Sequence, residues 1–348
     1  MTRPLTGFTA SLSRWWVLAF LVLEILFFCV QASGFASFDV AQIILFNGTE
    51  VFLLATAELF VIVTGGIDLS VGFVLGFASV VASQFFVALG SAGLDPASAI
   101  VLGSVATLLI GVVPGLVNGW LVAYLKVPPF IATFAMMGVC WGVSELLTEG
   151  VYATNLPDLA AAIGNGYVIY SAPGAGISFF VPPEVERGTP VLQLLPNIAV
   201  LVLIVVAASA FVLRKTRFGR HVYAIGGNPD AAVRAGIRVK RRLLAVYALS
   251  STLAALAGVS YALKFVSGKP DAGASQLLDS IAAVVIGGAS LFGGTGTVGR
   301  TLVGCLIIAV LETGLRIQGT PTFDKYILVG IILVLAVIVE RFLPQSRK

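Results

Sequence analysis

The chain has 348 residues, 58% of them apolar and 11% charged, with a mean hydropathy of +1.02, a balance that excludes a water-soluble domain and indicates a protein crossing a membrane many times. The formal net charge of +4 and pI near 9.0 do not point to nucleic acid, because the basic residues follow loops on one side of the expected membrane and no basic face interleaved with aromatics occurs.

Arg3 and Arg14 precede an apolar run from Trp15 to about Ser33. It exceeds the roughly 7–15-residue core of a cleavable signal peptide, so it reads as a retained first span, with cleavage after Ala32-Ser33-Gly34 as the alternative. Further runs long enough to cross about 30 Å of hydrocarbon lie near 49–64, 71–89, 97–125, 129–148, 194–213, 243–263, 277–292, 300–317 and 326–343. The reading is an all-α polytopic transmembrane bundle of about ten spans, forming a single domain over residues 1–348. The eighth run is short and glycine-broken and could be re-entrant, but ten crossings bring both basic termini to the same side.

Glu24 and Glu58 lie inside the first two spans, where a carboxylate is costly and faces a bundle interior, either lining a polar route or held as a structural acid. The second tract is interrupted by Thr64-Gly65-Gly66-Ile67-Asp68-Leu69-Ser70. The paired glycines permit a reversal and Asp68 is positioned to cap the next helix, so the segment predicts a discontinuous helix whose freed backbone groups can line a path. Gly111, Gly115 and Gly119, four apart, predict close helix packing. Residues 149–193 form the longest polar stretch, with Glu149, Asp158, Glu184 and Glu186 against Arg187, and suit an external lid or platform.

Residues 214–242 carry nine of the 21 Lys and Arg residues, namely Arg214, Lys215, Arg217, Arg220, Arg234, Arg238, Lys240, Arg241 and Arg242, against the single acid Asp230. The positive-inside rule places this loop in the cytosol. Across the whole chain the expected topology puts sixteen basic residues inside against Arg187, Lys264, Lys269, Arg316 and Lys325 outside. Within the loop, Asn228 reads as an N-cap, Pro229 as the first helical residue, Asp230 as first-turn acid, Ala231, Ala232 and Arg234 as helix, and Gly236 as terminator. Two turns are not stable alone in water, so the element is expected to pack into another protein.

Gly294-Thr295-Gly296-Thr297-Val298-Gly299-Arg300-Thr301 imitates nucleotide-binding loops, but the lysine of one pattern and the strand context of both are missing, and it reads as a glycine-rich turn. Ile286-Gly287-Gly288-Ala289-Ser290-Leu291 echoes Thr64 to Leu69 weakly. Glu312 and Arg316 are spaced to pair on one helix face. Cys29, Cys140 and Cys305 are expected to be packing residues, and the lone histidine, His221, a surface one.

Four ordered blocks, TGGIDLSVG at 64–72, VNGWLVAYLKVPPFIATFAMM at 117–137, RKTRFGRHVYAIGGNPDAAVRAGI at 214–237 and LLDSIAAVVIGGASLFGGTGTVGRTLVG at 277–304, resemble the permease subunits of bacterial ATP-binding cassette importers for monosaccharides, of the ribose, xylose and galactose type. The resemblance implies an inner-membrane subunit that does no covalent chemistry and pairs with a second permease copy or paralogue. It implies two cytosolic ATPases that hold the ATP, this chain binding no cofactor or metal, and a periplasmic or secreted protein that delivers the solute. It makes Arg220 and the stretch Gly226, Gly227, Asn228, Pro229, Asp230, Ala231, Ala232, Arg234 and Gly236 the coupling segment. A sugar or polyol would cross past Glu58, Thr64, Gly65, Gly66, Asp68 and Asn118. The rivals are a proton-coupled carrier using Glu24 and Glu58, and an intramembrane enzyme, for which nucleophile, base and metal cluster are all missing.

Overall fold

A computed structural model describes residues 7–152, 154–186, 188–321, 323–331 and 334. The helices in chain order are α1 (Gly7–Gln31), α2 (Phe38–Asn47), α3 (Thr49–Val63), α4 (Val71–Ser91), α5 (Pro96–Ala123), α6 (Pro129–Thr148) and α7 (Asp158–Asn165). Strands β1 (Tyr167–Ala172), β2 (Gly176–Phe179) and β3 (Leu192–Pro196) follow, then α8 (Asn197–Lys215), α9 (Arg217–Gly227), α10 (Pro229–Arg234), α11 (Val239–Phe265), α12 (Ala274–Ile286) and α13 (Val298–Ile317). Residues 323–331 are helical as well.

Six of these helices, α4, α5, α6, α8, α11 and α13, are long and apolar enough to cross a membrane. A seventh crossing forms if α2 and α3, bent by 46° at Gly48, count as one broken span. In that case the expected span at 49–64 is only the second half of its crossing. The expected span at 277–292 corresponds to α12, whose 13 residues reach about 20 Å and stop short of the hydrocarbon thickness. The end of the expected span at 326–343, together with Arg3, Arg187, Arg341, Arg347 and Lys348, lies outside the described residues.

Helix α3 is the axis of the molecule: all its 15 residues are buried, as a helix apolar on every side requires. Helix α11 packs along α3, α4 and α5, while α12 and α13 cover another side of α3 and α1 lies on α13. The glycine ladder does what its spacing predicts. A β-carbon at Gly111 would sit 2.3 Å from Ala255 Cβ, at Gly115 2.2 Å from the Tyr247 carbonyl, and at Gly119 2.8 Å from Leu244 Cα, so the backbones of α5 and α11 are in direct contact. The outward faces of α5 and α6 carry Leu109, Trp120, Phe130, Phe134 and Leu146, all exposed as lipid contact demands.

The fold departs from all-α in the expected external loop. There β1 pairs antiparallel with β2 and with β3 in the order β2-β1-β3. Tyr167, Val168, Ile169 and Tyr170 supply β-formers and Pro173-Gly174 the turn, a local strand signal outweighed in the sequence reading by the stretch's many punctuating residues. Lys264, expected in an external loop, is instead buried near the end of α11 against α3.

Candidate functional site

Two groups of expected site residues occupy different parts of the molecule, joined through α3 and its end. The first is the basic segment. Thr216 opens α9 by accepting the Gly219 N–H at 3.3 Å, and Arg220 is exposed on this helix. Helix α10 forms as its caps dictate: Asn228 Oδ1 accepts the Ala231 N–H at 2.9 Å and Pro229 takes the first turn with Asp230. Gly236 then adopts φ 80°, with its N–H donated to Val233 and that of Ile237 to Ala232, the paired bonds that end a helix on a left-handed glycine. Ala232 is buried, while Gly227, Asn228, Pro229, Asp230, Ala231, Arg234 and Gly236 are exposed. Gly226 is different, because a β-carbon there would lie 1.8 Å from the Val63 carbonyl oxygen.

The second group surrounds the interruption after α3. Gly65 has φ 82°; its N–H and that of Gly66 bond to Ile62 and Val61 and close the helix. The Thr64 hydroxyl donates to the Val61 carbonyl at 2.7 Å, so it serves its own helix end. Asp68 does not cap α4, whose N-cap Ser70 makes no side-chain cap bond. Fully buried, it accepts instead from the Ser70 N–H at 3.1 Å, from the Ser70 hydroxyl, and from the Ser250 hydroxyl of α11 at 2.9 Å. Its side chain thus closes the turn on Ser70, two residues further along, while Asn118 Nδ2 donates to Ser70 Oγ at 3.0 Å and ties α5 in. Thr133 of α6 donates to the Ile67 carbonyl at 3.2 Å.

Glu58 and Tyr247 complete this cluster. Val61, one turn beyond Glu58, touches Gly66, and a β-carbon on Gly66 would come within 2.6 Å of Tyr247 Oη. Glu58 and Tyr247 both lie close enough to Asp68 to interact with it electrostatically. Both Glu58 oxygens, Asn118 Oδ1 and Tyr247 Oη have no hydrogen-bond partner among the described residues, although all three side chains are buried. Glu58, Asp68 and Asn118 are thus brought to one place, Gly66 lines it, and Thr64 and exposed Gly65 stand at its edge. The sequence reading quoted Ser70 and Thr133 only as members of longer stretches and gave them no role, and it missed Tyr247 and Ser250, which belong to no charged or glycine-rich motif.

Elsewhere, Glu24 is buried with one oxygen unpartnered among the described residues. Glu312 does pair with Arg316 at 2.9 Å, and it also accepts from Lys325, which bonds Asp279 at 2.7 Å. Cys140 and Cys305 are buried and Cys29 exposed, all three free. His221 is half-buried rather than a plain surface residue.

Residues 41–337 match the family model described as the branched-chain amino acid transport system / permease component. The fructose import permease protein FrcC of Rhizobium meliloti is 36% identical over 93% of this chain and 84% of its own. The ribose import permease protein RbsC of Bacillus subtilis is 39% identical over 83% of this chain and 80% of its own, and the xylose transport system permease protein XylH of Haemophilus influenzae is 36% identical over 82% and 84%. No solved structure matches the chain. A bundle of membrane-crossing helices broken at glycines, matched along most of its length by these proteins, belongs to the family of transport-system permease components, and the chain is a multi-pass membrane permease subunit rather than an enzyme.

Proposed function

We propose that this permease subunit forms the translocation path of an ATP-driven importer for a sugar or sugar-like polyol. The observation that carries the reading is the length of the match: relatives named for fructose, ribose and xylose import align over more than four fifths of the chain. A second permease copy or paralogue encloses the path. Two cytosolic ATPases bind the ATP, and a solute-binding protein delivers the solute from outside. The chain crosses the inner membrane about ten times with both termini in the cytosol. Arg220 and residues 226–236 seat on the ATPase, which the exposed surface of α10 and its surrounding arginines support. Glu58, Thr64, Gly65, Gly66, Asp68 and Asn118 border the path, a role supported by the unpartnered polar atoms gathered where α3 is interrupted.

The test is reconstitution in proteoliposomes with its ATPase and binding-protein partners, measuring uptake of labelled D-fructose, D-ribose and D-xylose. Uptake of at least one sugar that needs both partners and ATP is expected. Uptake driven by a proton gradient with the chain alone would establish the carrier reading instead.

A further inference from the structure

We infer that a three-way backbone junction built on Gly226, Gly293 and Gly294 passes movement of the cytosolic segment directly to the interrupted helices, with Tyr223 as a positioning residue that holds it together. The inference rests on the reading of α9 and α10 as the ATPase-docking segment and adds the route by which docking reaches the path.

Three segments distant in sequence meet there without intervening side chains. Gly226, near the end of α9, lies so close to the end of α3 that a β-carbon on it would stand 1.8 Å from the Val63 carbonyl oxygen and 2.6 Å from the Gly294 nitrogen. Gly294, in the turn between α12 and α13, donates its N–H to that same Val63 carbonyl at 2.9 Å. A β-carbon on Gly293 would approach the Gly65 nitrogen at 2.9 Å and the Gly226 carbonyl at 3.0 Å. The Tyr223 hydroxyl, one turn before Gly226, donates to the Gly296 carbonyl at 2.6 Å. Gly293, Gly294 and Gly296 all hold positive φ, so this turn keeps its shape only with glycine at those places.

Backbone against backbone is a stiff contact, since no rotamer change can absorb a shift and close-packed interiors transmit strain. A displacement of α9 therefore moves the Val63 carbonyl and the turn after α12 together. Val63 is the last residue of α3, and Glu58 and the Asp68 network hang on that helix and the segment following it. The turn after α12 likewise follows a helix ended by a left-handed glycine, Gly288 at φ 80°, with the same pair of closing bonds as at Gly65. The junction thus holds the end of α3 directly, at Val63 and Gly65, and reaches α12 through the turn five residues beyond Gly288.

The test uses the whole transporter, this chain with its ATPase and binding-protein partners in proteoliposomes, and reads solute moved per ATP hydrolysed alongside complex assembly. Gly226→Ala forces the Val63 carbonyl away, and this ratio should fall about tenfold or more, the equilibrium size of a backbone overpacking conflict. Tyr223→Phe removes one hydrogen bond at nearly constant volume and should lower the ratio about two- to tenfold, with assembly and ATP hydrolysis near wild type. Gly299→Ala, whose β-carbon meets nothing within 4 Å, should leave the ratio unchanged. A purely structural role would change assembly and leave the ratio intact in the molecules that assemble. An unaltered ratio in Tyr223→Phe, together with either an unaltered ratio or failed assembly in Gly226→Ala, overturns the inference. Absence of ATP-driven uptake in the wild-type complex would remove the docking reading first, and this inference with it.

Discussion

Lys264 Nζ stands 2.9 Å from Glu50 Oε2 with both side chains almost wholly buried, and joins the end of α11 to the start of α3. The ammonium also donates to the Phe46 carbonyl at 2.7 Å and the Thr49 hydroxyl at 2.9 Å and lies over the Phe46 ring. Removing one partner leaves the other charge buried without compensation. Glu50→Leu should therefore cost about 3–5 kcal/mol of stability, and Glu50→Leu with Lys264→Met should recover most of it. Unfolding of the purified protein in detergent measures both, and a double variant as unstable as the single one would argue against the ion pair as the cause.

The Asp68 network predicts strong coupling between α11 and the chain break. Ser250→Ala alone should destabilise by roughly 1 kcal/mol, whereas in an Asp68→Ala background the same change should cost almost nothing, because its acceptor is already gone. Additive effects in the double-variant cycle would show that the 2.9 Å contact contributes no energy.

Gly115 is expected to tolerate no side chain. Gly115→Val drives a β-carbon against the Tyr247 carbonyl and Ser251 Cβ and should cost about 1–3 kcal/mol or prevent assembly of the bundle. Gly138→Ala on α6, where nothing lies within 4 Å, serves as the comparison. Equal expression and melting temperature for both variants would contradict the close approach of α5 and α11.

Glu58 separates two outcomes. Both Glu58 oxygens fall outside full hydrogen-bond geometry among the described residues, with the Asp68 backbone as a weak partner, so Glu58→Gln, which keeps an acceptor, should leave stability within about 1 kcal/mol of wild type and Glu58→Leu should cost no more than about 1–3 kcal/mol. A residue bordering the path would nevertheless change uptake rate or sugar preference when replaced. Unchanged kinetics and preference in both variants would remove it from the path.

Topology is open to direct chemical labelling. Ala175, exposed at the tip of the β1–β2 hairpin, and Ala224, exposed on α9, should react as single cysteines with an impermeant reagent from outside and inside respectively, in a background without Cys29, Cys140 and Cys305. Modification of both from one side would overturn the proposed orientation.

The sequence alone determined membrane residence, most helix positions, the capped helix at 229–234 and the tight approach along Gly111, Gly115 and Gly119. Each rests on periodicity, capping chemistry or side-chain size within one segment, and none needs knowledge of distant neighbours. It also held the β1–β2 hairpin in Tyr167 to Phe179, where the strand-forming residues were local but outvoted. The echo between Thr64 to Leu69 and Ile286 to Leu291 was legible too, though the structural equivalence falls one residue off that alignment, Gly65 matching Gly288. Tertiary structure decided the rest. Asp68 turned from a cap into a buried acceptor because Ser250, 182 residues away, reaches it across the bundle. Lys264 went from loop to core because Glu50 was there to neutralise it. Gly226, Val63 and Gly294 meet only because three chain reversals converge, and a contact made by backbone atoms leaves no mark in the sequence beyond the absence of a side chain.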